Sequence, residues 1–67
     1  MNYKRVTPSG SGYNNVSILS ESGFLTTTAV WPDGFTLHVY SGNIFDMGWH
    51  SLKEFLRERK GFEPMKN

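Results

Sequence analysis

Between Asn14 and Tyr40 hydrophobic and polar positions alternate with the period of two expected of strands, and from Phe45 onward they follow a helical period. "NNVSILS" (14–20) sets Val16 and Ile18 on one side, and "FLTTTAVW" (24–31) and "FTLHVY" (35–40) are rich in the β-branched and aromatic residues that strands favour. Turn chemistry separates the three segments. "ESG" (21–23) ends in a glycine able to take positive φ, and "WPDGF" (31–35) has proline, aspartate and glycine in the order of a type I turn closed by a glycine bulge. That turn sets Trp31 opposite Phe35. Counting back gives Ala29 opposite Leu37 and Thr27 opposite Val39. Side chains alternate faces along a strand, so Leu25, Ala29, Trp31, Phe35, Leu37 and Val39 are expected to share a core face. Phe24, Thr26, Thr28, Val30, Thr36, His38 and Tyr40 then share the other.

Phe45, Trp49, Leu52 and Leu56 recur at intervals of four, three and four, which predicts one amphipathic helix over 44–60. Asp46 is its expected cap, with Asn43 as competitor, and Gly61 after "RERK" its expected stop. Residues 1–12 read as a flexible tail or a short strand, in which Tyr3, Arg5 and Thr7 would share one face and Lys4 and Val6 the other. Residues 61–67 read as a tail whose Phe62 can fold back onto the core. The expected fold is therefore α+β: a three-stranded antiparallel meander over 13–40, with a further N-terminal strand possible at 1–7, packed on one C-terminal helix. Its expected core is Val16, Ile18, Leu25, Ala29, Trp31, Phe35, Leu37, Val39, Phe45, Trp49, Leu52, Phe55 and Leu56.

Length and composition sharpen this picture. A chain of 67 residues forms a single small domain with a marginal core, and it contains no cysteine, so neither disulfides nor thiolate metal sites reinforce it. Its reinforcement has to come from packing, to which two Trp, three Tyr and five Phe contribute, or from self-association. A formal net charge of +1 lacks the basic excess typical of strong nucleic-acid binding. No apolar run reaches the length of a bilayer span, and residues 1–8 have no secretory h-region, so the expectation is a cytoplasmic protein.

Little in the chain suggests catalysis. Asp46, His50 and Glu54 are spaced by four, as in carboxylate–histidine pairs that orient a base or a metal ligand, but helix arithmetic turns them to solvent, where no pocket tunes them. His38 is remote from His50, so no zinc pair is expected. There is no Gly-x-Ser-x-Gly elbow, and "GSG" (10–12) lacks the lysine and helix of a phosphate loop. No catalytic residue, cofactor or metal is assigned.

The face carrying Phe24, Thr26, Thr28, Val30, Thr36, His38 and Tyr40 has no formal charge and several large side chains, as the core of a protein interface does. The expected function is that of a non-enzymatic regulator, inhibitor or accessory subunit that binds another protein, or a second copy of itself, through that face. Nucleic acid is the alternative partner, held by Lys4, Arg5, Lys53, Arg57 and Lys60. Exposed strand edges give a further route to assembly.

Overall fold

The structure is a computed structural model that describes residues 1–66. Asn67, the last residue of the expected tail, lies outside the described residues. The fold is α+β, with five strands where three and a possible fourth were expected. Strands β1 (Tyr3–Pro8), β2 (Asn14–Leu19), β3 (Phe24–Val30) and β4 (Thr36–Asn43) form a continuous antiparallel meander. A short β5 (Glu63–Pro64) returns to pair with Tyr3 and Lys4, giving the order β4-β3-β2-β1-β5. The N-terminal segment is thus a strand of the sheet. It extends the sheet sideways rather than covering either face.

The turns form as their residues dictate. At "WPDGF" the Gly34 N–H donates to the Trp31 carbonyl at 3.0 Å, the Trp31 N–H donates to the Phe35 carbonyl at 2.9 Å, and Gly34 takes φ of 96°. Trp31 therefore faces Phe35, and Ala29 faces Leu37, as the turn chemistry requires. The β2–β3 turn repeats the device, with Gly23 at φ of 94° and the Ser20 N–H donating to the Phe24 carbonyl. This second turn pairs Leu19 with Leu25 and Ser17 with Thr27. It corrects the placement of Val16 and Ile18: they share a face with Thr26 and Thr28, and Ser17 and Leu19 point to the core.

The single helix over 44–60 is also corrected. Ile44–Met47 is a 3₁₀ turn, Gly48 adopts φ of 95°, and the α-helix α1 spans only Leu52–Glu58. Two local signals override the continuous apolar stripe. Gly48 ends the first piece in a left-handed conformation. Ser51 then starts the second, its Oγ accepting the Glu54 N–H at 3.1 Å in a Ser-x-x-Glu capping sequence. Asn43, not Asp46, caps the first piece, its Oδ1 accepting the Phe45 N–H at 2.9 Å.

The core is small. Leu19 and Ile44 are fully buried, Leu25 and Phe55 nearly so, and Tyr3, Trp49, Leu52, Leu56 and Phe62 pack around them. Ala29 is buried further along the same face. Of the residues expected inside, Val16, Ile18 and Trp31 are only half-buried, and Phe35, Leu37, Val39 and Phe45 are exposed. The reason is reach. Seven helical residues span about 10 Å, about half the length of the strands beneath them. The helix roofs the end of the sheet at Leu19 and Leu25 and stops short of the β3–β4 turn.

Arg5 fastens the returning tail. Its guanidinium lies 4.5 Å from the centre of the Phe62 ring, its Nη1 donates to the Lys60 carbonyl, and its stem runs against Gly61. A Cβ at Gly61 would come within 3.0 Å of the Arg5 Cδ, and φ there is 100°, so this position needs glycine on both counts.

Phe55→Ala is expected to lower unfolding stability by about 3–5 kcal/mol, read from urea denaturation, because it empties the centre of the roofed cluster. Arg5→Ala is expected to leave the four-stranded meander folded while releasing β5. The readout is faster hydrogen exchange at the Met65 amide, which donates to the Asn2 carbonyl at 2.7 Å.

Candidate functional site: the open face and the β4 edge

The register decides which expected site residues lie together. Thr28 faces His38 and Val30 faces Thr36 across β3 and β4, Thr26 faces Ser41, and Phe24 faces Asn43. Six of the seven expected residues therefore share the unroofed, open face. On β2 and β1 that face continues through Val16, Ile18, Val6 and Lys4, and Glu63 joins it from β5 opposite Lys4. The open face thus carries opposite charges at its β1–β5 side and none along β4.

Tyr40 is the exception. The ladder slips between Thr27 and Thr28, so that Thr28 pairs with His38 and Thr27 with Tyr40, and Val39 is left without a partner. One extra residue in β4 inverts the alternation beyond it. Tyr40 consequently lies on the roofed side with Leu25, Thr27 and Ala29. Its ring covers Gly42, whose added Cβ would come within 2.7 Å of the tyrosine oxygen, and its hydroxyl donates to the Met47 Sδ at 2.7 Å. Glycine at 42 is required for this close approach.

The roofed side itself has an uncovered half. Beyond the reach of α1, Tyr13 stacks on Trp31 with ring centres 4.6 Å apart, and Phe35 meets Trp31 edge-on at 5.3 Å. Phe35 is 59% exposed, and Leu37 and Val39 are each 54% exposed. Tyr40, Phe45 and Met47 continue this apolar surface toward the 3₁₀ turn, while Phe24 is exposed on the opposite, open face of β3. Among the described residues, most exposed large apolar side chains therefore gather on or beside β4. No Asp, Glu, Lys or Arg lies within β4.

The basic residues considered for nucleic acid do not converge. Lys4 is on the open face, while Arg5 is on the roofed side beneath Phe62. Lys53, Arg57 and Lys60 are exposed around the helix, which packs on the roofed side. Arg59 lies over the Trp49 ring at 5.4 Å, a structural contact.

The Asp46–His50–Glu54 spacing has no helix to display it. Asp46 is in the 3₁₀ turn, His50 in the connection that follows Gly48, and Glu54 in α1. His38 is on the open face of β4. No group of three potential metal ligands occurs among the described residues. A shallow hollow of about 390 Å³ lies at the β1–β5 side, lined by Lys4, Val6, Gly61, Glu63, Pro64 and Met65. No helix among the described residues is long and apolar enough to cross a membrane.

Sequence reasoning missed Leu37, Val39 and Phe35 as surface residues because it gave the helix enough length to cover them. The signal that finds them is Ser51-x-x-Glu54, which starts the helix late and leaves it short.

Comparison with protein-family models, with curated proteins and with solved structures returned no match to this chain.

Tyr40→Ala is expected to lower stability by about 1–3 kcal/mol despite its partial exposure, because it uncovers Gly42 and removes the contact with Met47. The same substitution at the somewhat more exposed Phe24 should cost less, as compared by thermal unfolding of the two variants.

Proposed function

We propose that this chain is a non-enzymatic binding protein whose partner is a protein, either a different one or a second copy of itself, engaged along β4 and the sheet surfaces that flank it. The observation that carries this reading is the gathering of exposed apolar side chains at Phe35, Leu37, Val39 and Tyr40, on a strand without formal charge. Contiguous exposed apolar surface of this kind is costly to leave in water and is the usual mark of a contact region. Aromatic enrichment and charge depletion are the compositional signature of an interface core. The open-face residues Phe24, Thr26, Thr28, Val30, Thr36 and His38 border the same strand and extend the contact region to its other side. In this reading the chain acts by occupying or bridging a partner, as an accessory subunit or inhibitor does.

Nucleic acid has less support as the partner. Phosphate contacts need several cations on one surface. Here Lys4 and the helix cations are on opposite sides of the sheet, and Arg5 is engaged by the tail.

The test is capture of partners from the native cell by three immobilised forms: wild type, a Phe35→Glu/Leu37→Glu double variant, and Val6→Glu as a control on the far side of the open face. Wild type and the control should retain the same proteins, and the double variant should lose them. Retention by all three would remove β4 from the function. On a DNA matrix, retention should be weak at low salt and should not fall steeply as salt is raised.

A further inference from the structure

We propose that the occupant of the β4 edge is a second copy of this chain, paired strand to strand about a two-fold axis at Leu37. The proposal rests on the reading of β4 as a contact surface and names what it contacts.

The two outer edges of the sheet are built differently. At the β1 edge, β5 covers Tyr3 and Lys4, the strand carries Lys4 and Arg5, and Pro8 ends it. Short cover, charge, proline and β-bulges are devices that keep an edge from pairing with another chain. The β4 edge has the last of these, the bulge at Val39, and lacks the other three. It runs for eight residues without Asp, Glu, Lys, Arg or Pro, and among the described residues it is paired only on its β3 side. Its one irregularity, the unpartnered Val39, follows the stretch Thr36–His38, in which the ladder to β3 is regular.

In that stretch the bonding groups can be assigned. The Trp31 N–H bonds the Phe35 carbonyl, and hydrogen-bonded and non-bonded pairs alternate along an antiparallel ladder. Phe35 and Leu37 therefore turn their backbone groups toward β3. Thr36 and His38 turn theirs outward. Antiparallel pairing of two such edges lets Thr36 of each chain exchange bonds with His38 of the other, which brings Leu37 opposite its own copy in a non-bonded pair. Those two leucine side chains, each about half exposed in the single chain, then cover one another.

Three features select a second copy as occupant. A symmetric contact needs a patch complementary to itself. A charge-free strand meets that condition, because self-pairing sets no like charges in opposition. Among the described residues the buried core cluster is Leu19, Leu25, Ile44 and Phe55, and for a chain this small without disulfides association is one route to further burial. A standard interface takes about 800 Å² from each partner. That is about a sixth of this chain's 4770 Å² surface, and the exposed apolar side chains of Phe35, Leu37, Val39 and Tyr40 are what this edge offers toward it.

The absence of cysteine makes the test clean. Leu37→Cys introduces a single thiol, and across a non-bonded antiparallel pair the Cα atoms lie about 4.5 Å apart, within disulfide reach. Under an oxidising glutathione mixture it should form a covalent dimer, while Val6→Cys on the open face should remain largely unpaired. The unmodified chain should sediment as a concentration-dependent dimer in which exchange at the Thr36 and His38 amides slows as dimer forms. Leu37→Lys, at an exposed position that leaves the roofed core untouched, should weaken dimerisation by more than about tenfold, because the axis sets the two lysines against each other. Its circular dichroism should match that of the parent. A chain that stays monomeric to millimolar concentration would overturn the proposal. So would a dimer that survives Leu37→Lys with the Thr36 and His38 amides still exchanging fast. If the chain is monomeric yet its capture of a different protein depends on Phe35 and Leu37, self-pairing fails and the broader reading of β4 stands. Capture that ignores both substitutions removes the broader reading as well.

Discussion

Phe55 pressed onto Leu19, Leu25 and Ile44 is the contact from which the rest of the molecule is suspended. Each participant arrives from a different element, so the cluster ties the centre of the sheet to the segment after β4 and to the helix. Ile44 is held from both sides: its N–H donates to the Gly23 carbonyl at 2.9 Å, and its side chain is closed off from water. Phe45, next in the chain, packs its ring against Gly23, where a Cβ would come within 2.7 Å. The β2–β3 turn is therefore part of the floor on which the 3₁₀ turn sits. With a helix this short, the cluster is confined to one end of the sheet. The remainder of the roofed side is finished by rings, Tyr13 on Trp31 on Phe35, in contact with solvent.

How far this was legible in the residues differs from element to element. "WPDGF" could be read to the register of individual pairs, because a turn of that chemistry is decided locally and its consequences propagate along both strands. β2 could not, since Val16, Ile18 and Leu19 offer apolar residues of both parities, and the choice falls to the hydrogen bonds of the Ser20–Phe24 turn. The helix was overextended because an apolar stripe continues through Gly48, where the backbone leaves the helix and later resumes it. β5 has two residues and no pattern of its own. It exists because Arg5 and Phe62 bring the tail back to β1. Of the expected binding face, six residues were grouped correctly, and Tyr40 was lost to a bulge that no composition announces.

Arg5 shows how a residue's chemistry and its use can part. From its type it belongs with the basic residues that meet phosphates. In the folded chain its guanidinium lies over an aromatic ring, and its Nε is buried without a hydrogen-bond partner. The unpaired Nε is tolerated because the guanidinium stays partly exposed, lies over an electron-rich ring face and donates from Nη1 to the Lys60 carbonyl. The positive charge of this chain is thus partly invested in holding its own C-terminal segment, and formal net charge overstates what is free at the surface.

The unpartnered Val39 has a consequence for how this strand tolerates changes of length. Remove that residue, and His38 still meets Thr28 while Tyr40 still meets Thr27; both halves of β4 keep their phase. Remove or add a residue between Tyr40 and Ile44, and Gly42 no longer lies beneath the tyrosine ring or Ile44 reaches the core out of step. Val39 is the slack in a measured length of chain, the place where a codon can be lost with the least damage to the phase of everything after it.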